Sequence, residues 1–476
     1  MNIRCSAKLQ FRGCQRCAKL EFRATFHRRR DMSSKIVLIG AGSATFGFNV
    51  LGDIFKSKVL PGSTLVLHDI NAARLGQVES ITQRYIQAHN LPYKLEATTS
   101  REKALKNADF CIISIEVGNR FELWEQDWRI PQQYGNRQVY GENGGPGGLF
   151  HSLRIIPPIL DICKDIQRIC PQAHVFNLSN PMSRICLAVN RKYPGLSFTG
   201  LCHEIATLPE ILSNMLGVPF AELETKSGGL NHFTILLKAT YKASGKDAYP
   251  DIREKAAAYL ETLPELTDWL RETHKQTDIP ATFKGRRWSD RWLIKAILEH
   301  FGYLPITVDS HFGEYIQWAQ GVVDHKGIID FYNWYKDWSF THTPEIRPEG
   351  TEGTERVIPI IEGILTDSQH EELAVNVMND GFIENLTSDI VVEVPAIISK
   401  QGVQGVKLGK FPKGIVGLFN NQVAAHDLTV EAALAGSREL ALQALLVDPQ
   451  VDSLRGAEQM LDTILDLQKP YLGYIR

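Results

Sequence analysis

Cys202 and His232 are the side chains in this sequence whose types are best suited to act together on a ligand. Cys202 stands in Gly200-Leu201-Cys202-His203-Glu204, and His232 in Gly228-Gly229-Leu230-Asn231-His232-Phe233. A thiolate and an imidazole can hold a borderline divalent ion and leave positions open for substrate oxygens. The pair alone is weak, because a single cysteine commonly serves as a small buried apolar residue. A second constellation lies near the amino end. The apolar run Lys35-Ile36-Val37-Leu38-Ile39 leads into Gly40-Ala41-Gly42-Ser43, and residues 44–55 carry a helix-length apolar pattern. Glycines in such a turn let the backbone approach a pyrophosphate, whose charge meets the free N–H groups at the helix start. Thr45 stands where the usual fingerprint has its third glycine.

The elements that must position these groups are legible as an alternation. Thr64-Leu65-Val66-Leu67-His68 reads as a second strand, with Asp69 at its carboxyl end, where the ribose hydroxyls of an adenosine would sit. An acid there favours NAD over NADP. Further strands are expected at 110–115, 173–177 and 196–201, and helices at 74–88 and 155–169. Strands alternating with helices imply an α/β fold with a parallel sheet. The expectation is a Rossmann-like doubly wound domain over residues 34–202, followed by an α+β catalytic and oligomerisation domain over 203–476 that carries the substrate and metal site.

Composition narrows the function class. The chain has 476 residues, 43% apolar and 22% charged, which suits a globular protein and excludes intrinsic disorder. Residues 1–30 carry nine Lys/Arg against Glu21, so the formal charge of −2 hides a body of about −10, and nucleic acid is an unexpected partner. There is no apolar run long enough to span a membrane. Eight cysteines are too sparse for a disulfide framework at this length, which points to a reducing, cytoplasmic setting. Residues 1–33 are read as a basic extension, disordered or preceding a natural start at Met32; the composition would otherwise suit a transit peptide. Cys14-Gln15-Arg16-Cys17 lacks the surroundings of a redox or zinc motif and is read as chance.

Taken in order, Gly40-Ala41-Gly42-Ser43, Asp69, Gly145-Pro146-Gly147-Gly148, Asn177-Leu178-Ser179-Asn180-Pro181, Cys202-His203-Glu204-Ile205 and Gly229-Leu230-Asn231-His232 resemble glycoside hydrolase family 4. The resemblance extends from Ser34 to the carboxyl end, including Asn421-Gln422 and a helical run at 429–446. It implies a fold like that of lactate and malate dehydrogenases and an NAD-dependent route that departs from two-carboxylate glycoside hydrolysis. NAD⁺ takes hydride from C3 of the sugar, a base removes the C2 proton, the leaving group departs from C1, water adds, and the hydride returns. Cys202 and His232 would then hold Mn²⁺ or another divalent metal as a Lewis acid. Gly40, Gly42, Ser43, Asp69 and Asn180 would bind NAD, Asn177 the sugar hydroxyls, and His203 would protonate the leaving group or contact substrate. The base is Asp290 or Tyr303.

Within the family, His203 after the cysteine argues against a 6-phosphate substrate, and Cys-His-Glu-Ile resembles the Cys-His-Glu-Val of the α-galacturonidase group. The expected substrate is therefore a small α-galacturonide, its carboxylate paired with Arg286, Arg287 or Arg291, and Arg120 the next candidate. An α-galactosidase or α-glucosidase of the same family, an NAD-dependent hydroxy-acid dehydrogenase and a non-catalytic NAD-binding regulator are the alternatives. A homo-oligomer, dimer or tetramer, is expected.

Overall fold

The computed structural model describes residues 33–42, 46–263, 291–341, 346 and 356–476. Ser43, Arg286, Arg287, Asp290 and the basic extension lie outside the described residues.

Six parallel strands open the fold: β1 (Lys35–Ile39), β2 (Thr64–His68), β3 (Lys94–Thr98), β4 (Phe110–Ile113), β5 (His174–Asn177) and β6 (Ser197–Gly200). Their order is β3-β2-β1-β4-β5-β6, so the chain reverses direction across the sheet between β1 and β4, where doubly wound folds bind ligands at the carboxyl edge. Alternate residues serve opposite faces. Ile36 and Leu38 of β1 join one buried cluster with Leu65, Leu67, Phe110 and Ile112, while Val37 and Ile39 join another with Val66, Cys111 and Ile113. Burial on both faces explains the unbroken apolar runs in the sequence.

The sheet does not stop at the expected boundary after residue 202. Strand β10 (His370–Met378) adds antiparallel to β6, and β11 (Val391–Ser399), β7 (Leu223–Leu230), β8 (Phe233–Tyr241) and β9 (Leu304–Pro305) follow, with β12 (Gly402–Gly405) paired to β11. The free edge of β6 would otherwise present unpaired backbone groups. Covering it joins the two halves into one twelve-stranded sheet.

Register carries this continuity to the functional edge. One row of paired residues runs across the sheet: Thr98, His68, Ile39, Ile113, Asn177, Gly200, Asn376, Glu393, Gly229 and Thr234. Gly40, Asp69, Cys202 and His232 all follow directly beyond that row.

Two helices differ from expectation. Helix α5 (Gly145–Ile169) starts at Gly145 rather than near residue 155, because Pro146 occupies its first turn and the Gly145–Gly148 stretch is packed inside the protein. The run at 429–446 is split into helices Lys413–Ala435 and Arg438–Val447. Gly436 adopts φ +66° at the break, and a side chain there would press on the Tyr474 carbonyl. No helix among the described residues is long and apolar enough to cross a membrane.

Candidate active site

The turn after β1 is built as a dinucleotide turn should be. Gly40 has φ +86°, and a Cβ there would lie 2.1 Å from the Ser114 carbonyl oxygen, so only glycine fits between β1 and the end of β4. The Gly40 and Ala41 amides donate to the His68 carbonyl at 2.9 and 3.1 Å. Asp69 accepts from the Gly42 amide at 2.8 Å and from the Asn71 amide at 2.8 Å, which fixes its carboxylate beside the glycine turn. Ile70, the next residue, is 91% exposed. Beyond β5, the Asn180 side-chain oxygen is buried and has no hydrogen-bond donor among the described residues. Asn177 is fully buried, and its amide is committed to the Ser179 carbonyl at 2.8 Å and the Met182 sulfur at 3.1 Å, so it holds the 177–182 turn.

Cys202 follows β6, and His232 closes the two-residue turn between β7 and β8, where Leu230 pairs with Phe233. His232 sits at φ +60°, a left-handed conformation that a ring-bearing residue adopts at a cost of roughly 1–3 kcal/mol. The surroundings hold it there. The Asn231 amide donates to Ser183 Oγ at 3.2 Å, Asn231 Nδ2 donates to Glu393 Oε2 at 2.7 Å, and the His232 ring stacks on His311 at 4.5 Å between centroids. Asn376 donates to the same Glu393 oxygen at 2.8 Å.

This strained turn brings His232 Nε2 to 3.2 Å from Cys202 Sγ. A sulfur about 2.3 Å and a nitrogen about 2.1 Å from a shared ion stand about 3.1 Å apart at a right angle and about 3.6 Å at a tetrahedral one. The observed separation falls in that range. Burial, with the nearby His311 cation, holds His232 well below the usual histidine pKa and therefore neutral, the form that ligates. Burial and the carboxylates of Glu204 and Glu393 push the Cys202 thiol up. A divalent ion would reverse that, because a coordinated thiol gives up its proton.

The wall facing the pair is acidic. His311 lies with Nδ1 3.4 Å from Glu314 Oε2 and Nε2 3.8 Å from Glu204 Oε1. Against the burial that would lower it, Glu314 and Glu204 raise the His311 pKa to about 9. Glu314 also accepts the amides of Glu142 and Asn143. Arg120 donates to Glu142 Oε1 at 2.6 Å and to the Tyr335 hydroxyl at 2.9 Å, with Glu116 at 3.6 Å. Burial raises Glu393 to about 7 and Asp309 to about 6.

The other expected residues are dispersed. His203 is exposed directly after Cys202. Tyr303 packs edge-on against Tyr249 at 5.6 Å, just before the β9 residues that pair with Ile235 and Leu236, and so stands well up β8 from His232. Arg291 is buried beside Asp309, the residue that accepts the Leu293 and Ile294 amides at the start of the next helix. Sequence reasoning missed His311, Glu314, Glu393 and Asn376, and left Glu204 and Asn231 without roles. Glu204 was visible beside Cys202; the others carry no motif and meet only through the sheet register.

A doubly wound sheet with a glycine turn at one part of its carboxyl edge and a thiol–imidazole pair at another is the frame within which the comparisons with known proteins fall. The chain belongs to family 4 of the glycosyl hydrolases: residues 35–218 match the family model described as family 4 glycosyl hydrolase, and 227–451 that of its C-terminal domain. It is 52% identical over 457 residues to an α-glucosidase of Erwinia rhapontici, covering 94% of this chain and all of that one. It is 28% identical over 474 residues to an α-galacturonidase of Bacillus subtilis, covering 92% and 98% of the two chains. Among solved structures, a 6-phospho-α-glucosidase from gut microorganisms in complex with NAD and Mn²⁺ superposes with a TM-score of 0.75 at 22% identity, over 92% of this chain and 98% of that one.

Proposed function

We propose that the protein is a family 4 α-glucosidase for neutral glucosides that works with NAD⁺ and Mn²⁺. The observation that carries the neutral-sugar reading is the acidity of the wall facing the pair and the prior engagement of two of its cations. His311 is held between Glu204 and Glu314, and Arg120 between Glu142 and Glu116. A uronate carboxylate would enter beside these four carboxylates, with His311 and Arg120 already committed to them, and an unpaired buried charge costs several kcal/mol. The relationship to the Erwinia rhapontici α-glucosidase supports the same choice.

When bound, NAD⁺ supplies a hydride acceptor and Mn²⁺ a Lewis acid. Cys202 and His232 are the residues that would hold the metal. The glycine turn would receive the pyrophosphate and Asp69 the ribose, and Ser43 is proposed from the sequence as a further NAD contact. The exposed Ile70 side chain would offer an apolar surface to adenine, and the Asn180 oxygen would accept from the nicotinamide amide. Asn177 acts on the sugar through the turn it braces. His203, exposed beside Cys202, is the proposed donor to the leaving group or contact to the substrate. Asp290 is the preferred C2 base and Tyr303, whose ring packs on Tyr249, the second choice.

The Cys-His-Glu-Ile tetrapeptide sustains a second reading, an α-galacturonidase with Arg286 or Arg287 on the carboxylate. Measuring kcat/KM on nitrophenyl α-glucoside, α-galactoside and α-galacturonide with NAD⁺ and Mn²⁺ decides between them. A preference for the glucoside over the galacturonide of about a hundredfold is expected, equivalent to roughly 3 kcal/mol. A preference for the galacturonide, lost in Arg286→Ala or Arg287→Ala, overturns the neutral-sugar reading and leaves the family intact.

A further inference from the structure

Two protein ligands are few for a divalent ion, and the thiol–imidazole pair has a third neighbour. Glu204 opens the short helical turn Glu204–Thr207 immediately after Cys202 and His203, which folds its side chain back beside the thiol. One of its carboxylate oxygens, Cys202 Sγ and His232 Nε2 all lie within 4.8 Å of one another. Its side chain is only 15% exposed, and the His311 nitrogen nearest to it stands at 3.8 Å, beyond hydrogen-bonding reach.

The geometry points to Glu204 as a third protein ligand of the metal held by Cys202 and His232. The inference rests on the metal-dependent reading of this site and adds to it a ligand that decides which metal is held. Donor chemistry supports it. A thiolate with an imidazole favours zinc-like ions, whereas a carboxylate oxygen shifts the set toward the harder Mn²⁺. With Cys202 as thiolate and Glu204 ionised, the two negative charges of the ligand set balance a dication. His311 then acts one step out: its ring stacks on His232 and its Nε2 faces a Glu204 oxygen, so it orients two ligands at once.

The test measures Mn²⁺ alone, without NAD⁺ or sugar, in reducing buffer, by the electron paramagnetic resonance signal of free Mn²⁺. Wild type is compared with Glu204→Gln, Glu204→Asp and Cys202→Ser. Loss of a supporting contact to a metal ligand typically costs about tenfold to hundredfold in affinity, so loss of the ligand itself in Glu204→Gln is expected to weaken Mn²⁺ at least that much. Glu204→Asp, which keeps a carboxylate, should recover part of the loss. The NAD⁺ affinity of both should match wild type. Mn²⁺ binding of wild-type strength in Glu204→Gln overturns the proposal while leaving Cys202 and His232 as ligands. Should Glu204→Gln fail to fold, undiminished Mn²⁺ affinity in Glu204→Ala, or in Glu204→Asp a cobalt-substituted spectrum identical to wild type, overturns it equally. Failure of wild type itself to bind Mn²⁺ removes the metal-dependent reading along with it.

Discussion

The proposed nucleotide edge and the proposed metal edge lie beyond the same row of the sheet but are built in opposite ways. At the nucleotide edge, Gly40, Gly42 and Asp69 come from two consecutive strand ends and bond to one another's backbone. Short-range chain geometry does the positioning. At the metal edge, Cys202 follows a parallel strand and His232 sits in an antiparallel hairpin, and strands β10 and β11 from late in the chain lie between them. Glu393 and Asn376, opposite one another on those strands, brace the His232 turn from beneath. A local motif tolerates little change in its own residues, whereas a long-range site depends on residues that never touch the ligand.

Three measurements test that contrast. The largest effect is expected from Gly40→Ala. Its methyl group would overlap the Ser114 carbonyl at a positive φ, so roughly 3 kcal/mol or more of stability should be lost and NAD⁺ affinity should fall at least a hundredfold. Mn²⁺ binding in the folded fraction should persist; simultaneous loss of both would mean that the two edges are not independent.

A middling effect is expected at His311. Its pKa is raised from 6.5 to about 9 by Glu314, Glu204 and Glu142 against burial. The protonated ring therefore contributes stability that is fully present below pH 6.5 and lost as pH rises through 9. In metal-free protein, the melting temperature of wild type should exceed that of His311→Gln by several degrees at pH 6, and the gap should close near pH 9.5. A gap that is constant with pH would show that packing, not charge, makes the difference. NAD⁺ affinity should be the same in both.

The smallest effect is expected from Ile70→Ala. Removing an exposed side chain that an adenine would cover should weaken NAD⁺ by a fewfold, about 1 kcal/mol, with stability and Mn²⁺ affinity unchanged. An unchanged NAD⁺ affinity would place the adenine elsewhere.

The sequence by itself determined the parallel half of the fold, the glycine turn after its first strand and the choice of Cys202 and His232 as a pair, which the fold brings together. Those features depend on residue type and on spacing within one or two elements, which is the range over which apolar periodicity and glycine turns act. It misjudged the start of α5 and the break at Gly436, where a proline-led helix start and a left-handed cap replace the apolar period. It was silent on the continuation of the sheet past β6, because nothing local to β6 indicates that a strand from residue 370 onward will pair with it. Only the tertiary structure decided that Glu393 and Asn376 support the His232 turn, that His311 stacks on it, and that His311 and Arg120 already have carboxylate partners. The physical reason is register: each of these contacts follows from which residues of distant strands stand opposite one another, and that alignment is set by burial on both faces of the completed sheet rather than by any residue's immediate neighbours.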